Sequence, residues 1–174
     1  MIEPEPQLES ALEILKQAAP QIAAVRFFKV HAELAEDAGE PIASDDDPDT
    51  AFQVDVALRT RQEGNQLGVR LEFEIDIGPC RIELHVAAEY VSEHPFTATE
   101  AACIEFANEV GIMTIYPYVR EAVSDLTART IGDSLLLPIL ARGAMSFGPM
   151  ERVQDEESSS SVATGQRTVP TRSR

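Results

Sequence analysis

Tryptophan is absent from this chain of 174 residues, cysteine occurs twice, and aromatic residues make up only 6% of it. Two thiols, Cys80 and Cys103, supply neither a disulfide framework nor a four-thiolate zinc site. No stretch approaches the ~18 consecutive apolar residues of a membrane-spanning helix. The first residues, MIEPEPQLES, carry no basic flank and no apolar run, so they do not read as a secretory signal. Positive charge is also scarce, with 14 Lys and Arg against 30 Asp and Glu, a formal charge of −16. That balance excludes nucleic-acid binding through a general basic surface, which needs clustered cations. No glycine-rich phosphate loop, nucleophile elbow or H-E-x-x-H helix occurs. The expectation is a soluble, cytoplasmic, acidic protein without catalytic groups, cofactor or membrane insertion.

What is present is enough apolar material, 44%, to build the core of one domain. Charge is uneven along it. Residues 151–174 hold Glu151, Asp155, Glu156 and Glu157 against Arg152, Arg167, Arg172 and Arg174, so the first 150 residues carry the whole net charge. The last segment has four consecutive serines and little to bury, and it reads as a disordered tail over 151–174. It serves either as a solubilising extension or, through its basic end, as a contact for an acidic partner.

Periodicity divides the rest. Leu8, Ala11, Leu12, Leu15, Ala18 and Ala19 lie at helical spacing and predict an amphipathic helix ended by Pro20. The period then becomes two. Phe28, Val30, Ala32 and Leu34 alternate with Lys29, His31 and Glu33, and a long acidic connection containing SDDDPDT follows. A second strand places Phe52, Val54, Val56 and Leu58 on one face. The third is the clearest, with Val69, Leu71, Phe73, Ile75 and Ile77 against Arg70, Glu72, Glu74 and Asp76. After Gly78-Pro79 a fourth alternates Ile82, Leu84 and Val86 with Arg81, Glu83 and His85. Short turns make strands two to four antiparallel, with one dry and one wet face. Thr97 or Thr99 caps a helix over Glu100–Val110, which Gly111 ends. A longer helix starts at Tyr116-Pro117 and closes at Gly132, with Val119, Ala122, Val123, Leu126 and Thr130 as its inner stripe. Residues 135–140 are apolar but interrupted by Pro138, so they pack without forming a long helix. The fold class is α+β, a four-stranded antiparallel sheet with helices on one face and an extra N-terminal helix.

Few residues offer chemistry. Cys80 and His85 share a strand, but five positions apart they point to opposite faces. Cys103 lies among small helical residues and reads as packing. Asp45, Asp47 and Asp49 have the first spacing of a calcium loop, yet Thr50 and Val56 stand where the loop needs glycine and glutamate. On the wet face Glu72, Glu74, Asp76 and Glu83 form an acidic group, which is either a solvated surface that resists edge pairing or a docking surface for a basic partner.

The hexapeptide Tyr116-Pro117-Tyr118-Val119-Arg120-Glu121, followed by helix, leucines and a proline, resembles the F-P-Y-A-R-E signature of the SecB chaperones. The element order from about Ile22 to Phe147 agrees with it. YPYVREAVSDLTAR is similar in particular to the SecB-like chaperones associated with toxin–antitoxin systems, which tend to carry an additional N-terminal helix. With the helix and tail read from periodicity and composition, the expected division is 1–20 (N-terminal helix), 21–150 (SecB-like chaperone domain, by resemblance) and 151–174 (disordered tail). The resemblance implies a chaperone without ATPase activity, assembled as a dimer of dimers, that holds unfolded or nascent polypeptides in apolar grooves. By position those grooves involve Phe52, Val54, Ile115, Tyr116, Tyr118, Leu135, Leu137, Ile139 and Leu140. The acidic sheet face, Glu72, Glu74, Asp76 and Glu83, corresponds to the family's surface for the SecA motor, and Arg120–Glu121 to an ion pair orienting the long helix. Two positions depart from the pattern: SDDDPDT replaces an aromatic-containing loop, and His85 stands at an acidic position. An export role with SecA and a role in stabilising a cognate antitoxin are both open. A small-molecule-binding α+β domain and a structural oligomerisation module remain as rivals.

Overall fold

The strict alternation of Gln66–Asp76 makes it the centre of the fold, because its apolar set all faces one way. Leu67, Val69, Leu71, Phe73 and Ile75 are buried in the computed structural model, which describes residues 7–35, 53–148 and 163–166. This strand, β3, pairs antiparallel with β2 (Gln53–Glu63) and with β4 (Cys80–Val91). The register sets Leu71 between Leu58 and Val86, and Phe73 between Val56 and Leu84. A one-residue slip would turn each of these side chains to water, so the pattern fixes the register. Gly64, at φ +57, begins the two-residue turn between β2 and β3, and Gly78, at φ +76, lies in the turn before β4. Asn65 secures that end of the sheet by donating to the Ser92 carbonyl at 3.0 Å.

The edge strand β1 (Gln21–Leu34) pairs with β4 and begins seven residues before the expected Phe28. Two irregularities interrupt its register, between Ile22 and Ala24 and between Phe27 and Lys29. The second moves Phe28 off the inner row. Its ring instead lies 4.8 Å from the guanidinium of Arg70 on the outer face, and Phe27, opposite Val86, continues the inner row. An inserted residue reverses the alternation upstream of it, which a period-two reading misses.

The helices also differ from expectation. Ser10 caps α1 by accepting from the Glu13 amide, and the Glu13 carboxylate accepts from the amide of Glu9, just before the cap, at 2.6 Å, so the helix starts at Ala11. Leu8 therefore lies outside the helix and bridges to Ala98 as extended chain. α1 (Ala11–Glu13) continues as a wide π turn (Ile14–Ala18), and Ala19 ends it at φ 43. Thr99 caps α2 (Glu100–Phe106), accepting from the Ala102 amide at 3.1 Å. Gly111 does not end this helix. A π turn (Ala107–Gly111) joins it to α3 (Ile112–Thr130), with Pro117 inside α3 rather than at its start. Gly111 serves close packing, since a Cβ there would stand 2.7 Å from Cγ1 of Val69. Gly132, at φ +79, follows the end of α3 as expected.

α2 lies against β2 and α1, while α3 lies against β4 and β1. Phe106 meets Tyr90 edge-on, with ring centroids 5.1 Å apart, and joins Phe73, Ile82 and Ile112 in the core. Burying each such side chain contributes about 1.5–3 kcal/mol. The sheet has a fifth strand beyond the expected four. Ala163–Gln166, within the segment read as tail, form β5 antiparallel to β2, giving the order β1-β4-β3-β2-β5. The remainder of that segment and the acidic connection, Phe52 included, lie outside the described residues.

Candidate functional site

After Gly132 the chain turns back along the helix that precedes it and is held there by a series of polar contacts. Thr127 accepts from the Leu135 amide at 2.8 Å while donating to the Val123 carbonyl. Arg120 Nε donates to the Leu137 carbonyl at 2.8 Å, and the Tyr116 hydroxyl donates to the Pro138 carbonyl at 2.7 Å. Arg142 pairs with Glu109, and the Asn108 amide exchanges two hydrogen bonds of 2.9 Å with the backbone of Phe147. Residues 131–148 thus form a strap. Its polar anchors satisfy backbone groups that would otherwise oppose packing an irregular segment on a helix.

The signature residues Tyr116 and Arg120 are four apart, so they share the helix face that meets the strap. Arg120 therefore holds the strap and does not form the expected pair with Glu121, which is exposed. Tyr116 is nearly buried, and burial raises its phenol above the ordinary value, which keeps it a donor.

The residues expected to bind clients separate by burial. Ile115 and Leu137 belong to the core, as does the ring of Tyr116. Val54, Leu135 and Leu140 are half-buried against it. Ile139 is 84% exposed and Tyr118 42% exposed, alongside Leu136 and Met113, which the sequence reading did not single out. Alternation within the leucine run decides this, with Leu137 inward and Leu136 outward. A second apolar surface was also missed. On β1, Ile22, Phe27, Val30 and Leu34 share the inner face of the sheet yet stay exposed. Their signal was present as an apolar alternation on a strand with only one neighbour among the described residues.

The outer face of the sheet is a lattice of paired charges rather than a continuous acidic surface. Glu72 lies 3.0 Å from Arg59 and 3.1 Å from Arg70. Glu83 pairs with Lys29, and Asp76 is 3.5 Å from Arg81. Lys29 holds the Glu83 carboxyl below the usual carboxylate range. Glu74, opposite Glu83 across the β3–β4 pair, helps line a hollow of about 340 Å³ with Asp55, Asp76 and Arg81. His85 Nδ1 lies 2.8 Å from an Arg70 guanidinium nitrogen; arginine only donates, so the imidazole accepts and is neutral. Desolvation is the main cause that lowers its pKa.

Both cysteines are buried. Burial pushes the Cys103 thiol up to about 11 and raises Cys80 as well, so neither is a thiolate near neutrality. Cys80 on the inner face and His85 on the outer face point apart, as their spacing requires. Among the described residues, no group of three or more His, Cys, Asp or Glu side chains is placed to hold a metal ion, and no helix is long and apolar enough to cross a membrane.

A sheet with strand order β1-β4-β3-β2, one long helix across it and a returning strap is the SecB-like fold. The solved Mycobacterium tuberculosis Rv1957 SecB-like chaperone, in complex with a ChAD peptide from the Rv1956 HigA1 antitoxin, shares it with a TM-score of 0.56. That match covers 75% of this chain and 98% of the other at 20% identity. In sequence, the chain is 42% identical over 48 residues to the SecB-like chaperone SmegB of Mycolicibacterium smegmatis. The aligned stretch is 28% of this chain and 33% of that relative, so it spans a third of the relative's length. No family model matches the chain. The resemblance carried by the hexapeptide thus extends to the fold and, over a short stretch, to sequence.

Proposed function

We propose that this chain is a cytoplasmic holdase, a chaperone without catalysis or nucleotide that binds non-native polypeptide on exposed apolar surface. The observation that carries this reading is the exposure of Leu136 and Ile139 on a strap whose backbone is anchored to α3 at Leu135, Leu137 and Pro138, together with an exposed Tyr118 on α3. Apolar side chains held open on a fixed scaffold bind extended apolar segments with little reorganisation and low specificity. The charge of −16 keeps such a surface soluble. The peptide bound to the Mycobacterium tuberculosis protein supports polypeptide as the client class.

The exposed inner row of β1, on a strand paired only with β4 among the described residues, supports self-association through this edge as one step of a dimer of dimers. Within the chaperone class, stabilising an antitoxin is favoured over export. Among the described residues Glu72, Glu83 and Asp76 are already paired with Arg59, Arg70, Lys29 and Arg81, which leaves Glu74 of the four as the carboxylate most open to a basic SecA segment.

Binding of a fluorescein-labelled unfolded polypeptide tests the reading. Leu136→Asp/Ile139→Asp should raise Kd by about thirtyfold, since two apolar contacts of ~1 kcal/mol are lost. Unchanged binding by this folded variant would remove the strap from the client site. Retention of SecA by the wild-type chain, abolished by Glu74→Lys, would restore the export role.

A further inference from the structure

Phe28 is the residue that the register of β1 skips, since Phe27 faces Val86 and Lys29 faces His85. The extra residue of such an irregularity is left outside the ladder. Its ring instead reaches over β4 to Arg70 of β3, whose guanidinium lies 4.8 Å from the ring centroid. Arg70 is fixed at two further points. A guanidinium nitrogen donates to His85 Nδ1 at 2.8 Å, and Nε lies 3.1 Å from Glu72 Oε1. Phe28, Arg70 and His85 thus tie the edge strand to the centre of the sheet, across the strand between them.

Charge around His85 decides what a proton does there. Lys29 faces it from β1, Arg70 and Glu72 from β3, and Glu83 lies two residues away on β4. A protonated ring cannot accept from Arg70, and it adds a third cation beside Lys29 and Arg70. Its Nδ1, 4.0 Å from Glu72 Oε1, then competes for the oxygen that Arg59 and Arg70 already share. Arg70 loses one anchor and must divide the other, and Phe28 loses its fixed cation. His31, the other histidine on this face, pairs with Glu33 along β1 at 3.2 Å, so its protonation strengthens a contact within the strand and releases none.

We propose that His85, Arg70 and Phe28 form an acid-sensitive latch on β1: a neutral imidazole holds the edge strand firm, and protonation loosens it and weakens self-association through it. The proposal rests on the reading of β1 as the edge for self-association and gives that edge a control. Ile22, Phe27, Val30 and Leu34 lie on the strand in both states. What changes is how well the strand is ordered in advance to present them.

Sedimentation of the full-length chain at pH 7.5 and pH 5.5 measures self-association. Hydrogen exchange, corrected for its intrinsic pH dependence, measures protection over residues 28–34. In wild type, acid should raise the self-association Kd about three- to tenfold and lower that protection by a similar factor, with β3 unchanged. His85→Gln keeps an acceptor for Arg70 and has no proton to gain, so both quantities should stay constant. Phe28→Ala, at an exposed site, removes the ring and should give the acid values at both pH. Equal pH dependence in wild type and His85→Gln overturns the latch and leaves self-association standing. Monomer in every sample overturns the self-association reading. The latch then survives if protection of β1 falls with acid in wild type alone, and fails if it falls equally in His85→Gln or in neither.

Discussion

The Tyr116 hydroxyl donates across 2.7 Å to the carbonyl of Pro138, a residue 22 positions later in the strap. One turn further along α3, Arg120 does the same for Leu137. The two bonds convert a proline-interrupted apolar segment into a fixed wall and explain why this helix needs a hydroxyl and a guanidinium four residues apart.

Removing those bonds should loosen the strap before the domain. Tyr116→Phe is expected to cost about 0.5–1.5 kcal/mol, and Arg120→Met about 1.5–3 kcal/mol because its donor is charged. Urea unfolding measures the cost. Hydrogen exchange should show lost protection at Leu135 and Phe147 and little change in β3. Uniform loss over the whole domain would contradict a separately anchored strap.

Burial separates two aspartate substitutions only two residues apart. Ile139→Asp sits at a site 84% exposed and should leave stability within about 0.5 kcal/mol. Leu137→Asp puts a carboxylate at a site 4% exposed and should cost at least about 3 kcal/mol. Circular dichroism melts of both variants decide it, and equal melting temperatures would refute the assigned orientation of the strap.

Gly111→Ala should destabilise the protein despite replacing a helical glycine. The helix gains about 1 kcal/mol of propensity, but a methyl 2.7 Å from Val69 costs about 1–3 kcal/mol in overpacking. In a Val69→Ala background the same substitution should become neutral or stabilising. No change of sign or size between the two backgrounds would show that the contact is not what retains glycine.

His85 gives the sheet face a pH dependence. Its pKa is lowered in the folded protein, chiefly by desolvation, so folding favours the neutral ring. Its contribution is complete above the ordinary value near 6.5 and is lost as pH falls through that value toward the folded one. His85→Gln should therefore lose less stability than wild type between pH 7.5 and pH 5.5. Parallel curves for the two proteins would assign the acid sensitivity elsewhere.

Strands were legible where a strand has two neighbours and one buried face. β3 and β4 alternate cleanly because both conditions hold, and their buried residues match the apolar positions. β1 has one neighbour among the described residues and two irregularities, so alternation misassigned Phe28 and hid the exposed inner row. Gly111 and Pro117 looked like helix boundaries on local grounds. Tertiary contact overrode both, because Val69 needs the missing Cβ and a π turn absorbs the join. The strap residues were legible as a group, but which of Leu135, Leu136 and Leu137 turns inward depends on bonds from Thr127 and Arg120. Ion pairing on the outer face followed from cross-strand register, which brings Arg59 and Arg70 to Glu72 and Lys29 to Glu83. Counting acids along one strand could not show it.

A holdase protects unfolded polypeptide by itself, as a folded chain without nucleotide or partner. The most direct measurement is light scattering from a chemically unfolded test protein on dilution, with near-stoichiometric amounts of this chain and no nucleotide. Wild type should suppress aggregation, and Leu136→Asp/Ile139→Asp should suppress it less at equal helical content. Undiminished aggregation in the presence of a folded, oligomeric wild-type sample would contradict the holdase reading.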